Sequence, residues 1–407
     1  LATHRPGLAL PYALRAIALA PERPETWNHA GRCYDQLLRW EEAEQAFQRA
    51  MTLDPANVTY VANMSTIRVN AGRHAEALQW CERTLAMEPD NRQAMCNRGM
   101  ARLALGDRAG WDDWEWGVSF QPGRTERFYG DLGRWQGKDG ETAVFYSEQG
   151  LGDEIALAAY LAPCLARTTG YVDVEPRLVN LFKRSFPQAA GVYGTRLQMA
   201  HWLGDQEIDR RCIFSSMPRY CEPYDGRPYL VADPARRVQW RALLDSLGPG
   251  LKVGLAWTGG IQETRAAMRS LEVGMLKPIL ATPGAHFVSL EYRDRHDAEA
   301  RAAGIHVWPW GTRTQDYDDT AALVAELDLV IAVPTSVTHL AGALGVPCLV
   351  LAQDAPAWPF GVEGDRMSAV LRFESVRLLR KRGREWPAVI REAARWLRQR
   401  VETRNAA

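Results

Sequence analysis

No stretch of this sequence approaches the roughly 18 consecutive apolar residues of a membrane-spanning helix. Leu1 to Ala20 also lacks the charged-then-apolar plan of a signal peptide, so a cytoplasmic protein is expected. The seven cysteines, at 33, 81, 96, 164, 212, 221 and 348, are odd in number, scattered and free of any CxxC spacing. They read as reduced core or incidental thiols rather than a disulfide framework. Eight histidines form no HExxH or HxH cluster, so no metal site is expected. Lysine plus arginine equals aspartate plus glutamate at 49 each, which removes the basic field of a nucleic-acid-binding protein.

What is present is enough to fold. With 407 residues, 46% hydrophobic and 24% charged, the chain suits two or three packed domains and not a disordered polymer. Its first third is periodic: Pro21, Pro55 and Pro89 recur every 34 residues. From Pro24 the pattern Trp27, Ala30, Gly31, Tyr34, Ala43, Phe47, Ala50, Pro55 alternates large and small residues as a tetratricopeptide (TPR) unit does, and it resembles one. A second unit carries Val61, Met64, Ala77 and Pro89, while Ala9, Ala13, Ala16 and Pro21 resemble the second helix of a preceding unit. The chain therefore opens inside a repeat, and a longer parent chain is expected. After Met95, Gly99 and Gly106 the pattern degrades into Trp111, Asp112, Asp113, Trp114 and Trp116, a capping turn expected to pack against the next domain. Stacked helix pairs leave a groove for an extended peptide or a partner helix; docking or dimerisation alone stays open beside it.

From residue 124 the chain alternates short β-rich runs with helical stretches. Ala143 to Ser147, Tyr171 to Val174 and Arg211 to Phe214 read as strands of a first lobe; Lys252 to Trp257, His286 to Tyr292, Leu327 to Val333 and Cys348 to Leu351 read as strands of a second. Buried runs separated by helices predict parallel, Rossmann-like sheets with the ligand in the cleft between them. The domain boundaries expected are 1–123, 124–238 and 239–407. A last helix from Trp386 to about Val401 gathers Val389, Ile390, Ala393 and Leu397 on one side.

Three segments carry the chemistry. Leu329 to Val333 is a buried strand that runs through Pro334, Thr335 and Ser336 into a helix with Thr338, His339, Gly342 and Gly345, so hydroxyls and unpaired amides sit at a positive helix end suited to phosphate. Thr335 or Ser336 as a plain N-cap is the alternative. In Ser147-Glu148-Gln149-Gly150-Leu151-Gly152-Asp153, the glycines allow close backbone approach; Asp153 is either a base facing the cleft or an N-cap. Trp257-Thr258-Gly259, followed by Arg265, Arg269 and Ser270, ends a strand in a basic loop that can neutralise a leaving phosphate, with a core tryptophan and solvated arginines as the alternative. Asp319 opens the preceding helix as an N-cap or a ribose ligand.

In their order along the chain, the repeats, Q-G-x-G-D, W-x-G, R-S and H-L-A-x-A-L-G resemble bacterial TPR glycosyltransferases with a GT-B module, related to the heptosyltransferase-like and O-GlcNAc transferase groups. The resemblance implies TPR helices followed by two Rossmann-like lobes, the first on the acceptor side and the second on the nucleotide-sugar side, with the C-terminal helix crossing back to the first. It implies metal-independent transfer of a sugar from a nucleotide-diphosphate donor to a serine or threonine hydroxyl of a protein recruited by the repeats, flagellin being the family-derived candidate. Asp153 is then the base. Gln149, Gly150, Gly152, Trp257, Thr258, Gly259, Arg269, Ser270, Asp319, Thr335, Ser336, Thr338 and His339 surround the donor. No cofactor beyond the donor is expected, and a homo-oligomer is compatible. Pro334 stands where the family commonly has Asp, which keeps two alternatives open: transfer to a saccharide or lipid-linked acceptor, and a non-catalytic TPR adaptor with an idle GT-B fold.

Overall fold

The computed structural model describes residues 5–121, 124–195, 200–260, 266–308 and 316–406. The chain divides into two compact units, Leu1–Gln121 and Pro122–Ala407.

The first unit is helical: α1 (Pro6–Leu19), α2 (Pro24–Gln36), α3 (Trp40–Leu53), α4 (Val58–Asn70), α5 (His74–Met87), α6 (Arg92–Ala104) and the short α7 (Gly110–Trp114). The 34-residue period is written into the backbone, because the turns inside successive pairs each place one residue at positive φ: Leu38 at 63°, Gly72 at 76° and Gly106 at 85°. Glycine suits that left-handed position, and Leu38 holds it despite its Cβ. The small residues of the pattern are explained by close packing. A Cβ on Gly31 would lie 2.7 Å from the Phe47 ring. Ala43, Phe47, Ala50, Tyr60, Val61, Met64 and Ile67 form one buried cluster. Asn57 caps α4 and Asn91 caps α6 through their side-chain oxygens, accepting from Thr59 N and Ala94 N. Polar residues also link the first helices of successive pairs: Asn63 Nδ2 donates to Asn28 Oδ1 at 2.7 Å, and Gln93 Nε2 to Asn63 Oδ1 at 3.2 Å. The degraded third repeat closes on α7, whose buried Asp113 accepts from Arg98 and Arg102 at 2.7 Å each.

The second unit carries two sheets in which every pairing is parallel. The first consists of β1 (Gly133–Arg134), β2 (Thr142–Tyr146), β3 (Thr169–Asp173), β4 (Gly191–Tyr193) and β5 (Arg210–Ile213), in the order β1-β5-β2-β3-β4. Its helices are α8 (Leu151–Leu157), α9 (Leu161–Leu165) and α10 (Val179–Ser185). A 3₁₀ turn at Ala158–Tyr160 separates α8 from α9. Then follow α11 (Pro234–Asp245), β6 (Leu251–Ala256), α12 (Lys277–Leu280), β7 (Ala285–Ser289), α13 (Asp297–Ala302), α14 (Tyr317–Ala325), β8 (Leu329–Ala332), α15 (Ser336–Leu344), β9 (Cys348–Ala352), β10 (Val376–Arg380) and α16 (Trp386–Ala406). The second sheet runs β10-β9-β8-β6-β7. β6 is buried at all six positions, as expected of a central strand covered on both faces.

The crossing implied for the C-terminal helix is not what its apolar face does. Ile390, Ala393, Ala394, Leu397 and Val401 of α16 join the buried cluster of β6, β7, β8 and β9, because that stripe matches the second lobe's own core. The lobes are tied by other groups: the Tyr160 hydroxyl donates to Val370 O at 2.6 Å, and Arg184 of α10 grips the Asp318 carboxylate of α14. Among the described residues no helix is long and apolar enough to cross a membrane.

The repeat core sets a first expectation. Phe47→Ala removes a ring that is 2% exposed and leaves a cavity beside Gly31, so urea unfolding followed by helical circular dichroism should lose about 3–5 kcal/mol; a loss below about 1 kcal/mol would contradict the packing described.

Candidate functional site

Loops leaving the C-terminal ends of β2, β3, β6, β7, β8 and β9 line one cleft of about 470 Å³, within the usual size of a small-molecule site. Backbone closeness sets how two of its helix starts meet. A Cβ on Gly152, in the first turn of α8, would lie 3.1 Å from Ser336 Cα at the start of α15, so a larger residue would push the two helix starts apart.

Gly150 is the N-cap of α8, not Asp153. Asp153 is the third residue of that helix, and its carboxylate accepts from the Gly150 N–H, as the acid of a capping box does. Burial first, and the neighbouring Glu148 charge second, raise the Asp153 carboxyl above the ordinary range; Arg269, the Gly150 N–H and Arg124 pull the other way. Behind it, Glu148 is buried. Its Oε1 accepts from Arg124 at 3.0 Å, Ser215 Oγ at 2.5 Å and Gln149 Nε2 at 2.9 Å.

Thr335 stands at the N-cap of α15 in an extended conformation, but its hydroxyl makes no capping hydrogen bond. The hydroxyl is thus not consumed by the helix it precedes, and it lines the cleft with Ser336. Ser336 Oγ is held at 3.3 Å by the Tyr317 hydroxyl. His339, one turn on, is 6% exposed and lines the same cleft, with Nδ1 making no hydrogen bond. Burial, reinforced by the Arg269 charge, pushes its imidazole down to about 4, so it is neutral at physiological pH. Arg269 lines the cleft and acts electrostatically on both Asp153 and His339. The helix owes its small residues to packing and termination. A Cβ on Gly342 would lie 2.4 Å from the Phe373 ring, and Gly345 takes the left-handed C-cap at φ 77°.

The structure thus gathers Gly150, Gly152, Asp153, Thr258, Arg269, Thr335, Ser336 and His339 around one space. It places the other expected residues elsewhere. Gln149 is turned to Glu148, and Trp257 is 2% exposed within the second-lobe core. Gly259 and Ser270 brace the loop, the Gly259 N–H donating to Ser270 Oγ at 3.2 Å, and a Cβ on Gly259 would lie 2.8 Å from Pro334 O. Thr338 is fully buried and its hydroxyl donates to Val333 O at 3.3 Å, away from the cleft. Asp319 is neither N-cap nor cleft residue: Asp316 caps α14 by accepting from Asp318 N, while Asp319 accepts the Trp240 indole N–H at 2.8 Å. Arg265 lies outside the described residues.

Three lining residues had no motif to announce them. Glu291, 3% exposed at the end of β7, accepts from the N–H groups of Trp257 and Thr258 at 2.8 and 2.7 Å and from the Thr258 hydroxyl. It fixes the W-x-G turn. Tyr317 steadies Ser336, and Arg177 brings a guanidinium from the first lobe, braced on Glu175 at 2.9 Å. Glu291 falls inside the expected strand His286 to Tyr292, where nothing in the sequence marks it as a site residue.

Fold and site together define a TPR-type helical array followed by an α/β unit of two parallel five-stranded sheets with a cleft at the C-terminal ends of their strands. Residues 24–57 match the tetratricopeptide repeat family model. The chain is 28% identical to Protein FlbA of Caulobacter vibrioides over 87% of its own length and 70% of that protein. Among solved structures it is similar to a glycosyl transferase family 9 protein from Veillonella parvula, at 11% identity and TM-score 0.49, covering 67% of this chain and 99% of that one. It is also similar to an O-GlcNAc transferase from Thermobaculum terrenum, at 14% identity and TM-score 0.33, covering 97% and 88%.

The imidazole gives a pH expectation. A histidine lowered from 6.5 to about 4 in the folded state leaves stability intact above about pH 6.5 and loses it as pH falls towards 4, since only the unfolded chain takes the proton. His339→Gln should therefore narrow the gap in unfolding free energy between neutral pH and about pH 4.5 by on the order of 2–3 kcal/mol; an unchanged gap would show that His339 is not buried neutral.

Proposed function

We propose that this protein is a glycosyltransferase that moves a sugar from a nucleotide-sugar donor to a serine or threonine hydroxyl of a protein acceptor recruited by the TPR array. The observation that carries the reading is the meeting, in one cleft, of a carboxylate with raised proton affinity and a helix start whose hydroxyl and imidazole are uncommitted.

Transfer of a sugar from a phosphate to a hydroxyl requires three things: removal of the acceptor proton, stabilisation of an oxocarbenium-like centre, and neutralisation of the leaving phosphate. Asp153 takes the proton. Its raised pKa strengthens it as a base. The amides opening α15, the Thr335 and Ser336 hydroxyls and neutral His339 receive the phosphate oxygens, and Arg269 supplies the charge that a metal would otherwise bring. The nucleotide lies on the second-lobe side, over the turn fixed by Glu291. The acceptor enters from the first-lobe side, past Asp153 and Arg177.

The repeats supply acceptor recruitment in this reading, since stacked helix pairs present more contact surface than a single domain of the same length. Flagellin is the candidate acceptor class. Pro334 leaves the second-lobe strand end without a carboxylate, so no other acid on that loop competes with Asp153 for the base role.

The test is turnover of a labelled nucleotide sugar onto protein acceptors. Asp153→Asn should lower kcat by about 10²–10⁴-fold with donor affinity preserved, and wild-type activity should fall as pH drops through the Asp153 pKa. Donor binding with no turnover on any acceptor, in wild type as well as variant, would sink the enzymatic reading in favour of an adaptor.

A further inference from the structure

Outside the cleft, the most chemically active juxtaposition is a pair of thiols that the sequence separates by 57 residues. Cys164 lies in α9 and is buried; Cys221 follows the 3₁₀ segment Phe214–Arg219 and is half-buried. Their Sγ atoms are 2.8 Å apart, closer than two sulfurs in ordinary non-bonded contact, and neither is in a disulfide. A cation stands beside them. Arg167, three residues beyond Cys164 and paired with Asp139 at 2.7 Å, donates to the carbonyl of Tyr220, the immediate neighbour of Cys221, at 2.6 Å. Cys221 is partly exposed, as cysteines open to oxidation are, while Cys164 is sealed beside it. Cys212 also acts electrostatically on Cys164, but its Sγ donates to the carbonyl of Ile213 at 3.4 Å.

We propose that Cys164 and Cys221 form a site of reversible oxidative modification, closing to an intramolecular disulfide when a hydroperoxide reaches the half-exposed Cys221. The thiolate of Cys221 attacks the peroxide oxygen. The O–O bond breaks, an S–O bond forms, and the leaving oxygen departs as hydroxide, which takes a proton to become water. Cys221 is then a sulfenic acid. The Cys164 sulfur attacks it, the S–S bond forms, the S–O bond breaks, and the proton from Cys164 leaves with the hydroxyl as a second water. Two thiols are oxidised by two electrons and one peroxide is reduced. The order of attack follows from exposure: the hydrogen bond to Cys221, and then burial, hold the Cys164 thiol protonated, which suits it to resolve and not to initiate.

The position gives the bond a structural consequence. Cys221 begins the stretch that leads out of the first lobe to α11, and its Sγ lies 4.0 Å from the carbonyl of Tyr160, whose hydroxyl reaches Val370 of the second lobe. A disulfide here staples the root of the connector to α9, beside a hydrogen bond that spans the lobes. It closes a long loop in the unfolded chain, so the oxidised form should also be the more stable one.

The experiment treats the purified full chain with a small excess of hydrogen peroxide, alkylates the remaining thiols, and maps peptides without reduction. The expected result is a cross-link between the peptides bearing Cys164 and Cys221, a mass lower by two hydrogen atoms, reversal by dithiothreitol, and a raised unfolding temperature. Cys221→Ser should abolish the cross-link, and Cys164→Ser should leave Cys221 as a sulfenic acid that dimedone traps. Full alkylation of Cys164 and Cys221 after peroxide treatment that oxidises other residues would overturn the proposal, as would a cross-link to any other cysteine. The readouts involve neither sugar nor nucleotide, so their outcome is independent of the proposed transferase activity.

Discussion

The close approach of two helix starts organises the second unit. α8 and α15 come from different sheets, and each begins just past the C-terminal end of a parallel strand. Gly152 allows the first turn of α8 to lie against Ser336, where any side chain would meet backbone at 3.1 Å. Both helix dipoles then direct their positive ends at one space, which favours an anion there and accommodates a carboxylate on its rim. Much of the remaining architecture serves this approach. The Tyr317 hydroxyl steadies Ser336, Arg184 holds the start of α14 through Asp318, and Glu291 locks the neighbouring turn by accepting from two backbone amides. The missing Cβ of Gly342 lets Phe373 close over the far side of α15.

Electrostatics in the cleft are balanced and not dominated by one sign. Asp153 gains proton affinity from burial and Glu148, and Arg269 and Arg124 restrain the gain. His339 is driven neutral, which removes a second positive charge that would otherwise compete with Arg269. The outcome is a carboxylate of raised proton affinity, two guanidiniums in Arg269 and Arg177, and several neutral donors, a set suited to holding a charged phosphate.

Local and periodic features were legible in the sequence; features made by distant neighbours were not. The proline interval and the alternation of large and small residues mark the repeats because each helix pair must solve the same packing problem. The buried strands β2, β6 and β8 showed themselves as apolar runs. β4 has only three residues, and β10 alternates buried with more exposed positions at the sheet edge, so neither produced a run. Within the H-L-A segment, helix geometry separated residues that adjacency had grouped. Ser336 and His339 are three apart and share the cleft face, whereas Thr338, about 200° around from Ser336, points into the core. Asp319 opens an apolar helix as a cap or a ribose ligand would, yet Asp316 caps that helix and Trp240 of α11 claims Asp319. The thiol pair is the extreme case, since nothing in a 57-residue separation announces a contact.

The central claim is that the start of α15 and Arg269 form the anion-binding half of a nucleotide-sugar site. Calorimetric titration with UDP, GDP, ADP and CMP, each alone and as a nucleotide sugar, tests it most directly when run on wild type and on Arg269→Ala. The account predicts one preferred nucleotide, bound about 10- to 100-fold more weakly by the variant, as expected for losing a charge-assisted contact worth about 1.5–3 kcal/mol. Equal affinity in the two proteins, or no binding of any nucleotide at millimolar concentration, would contradict it.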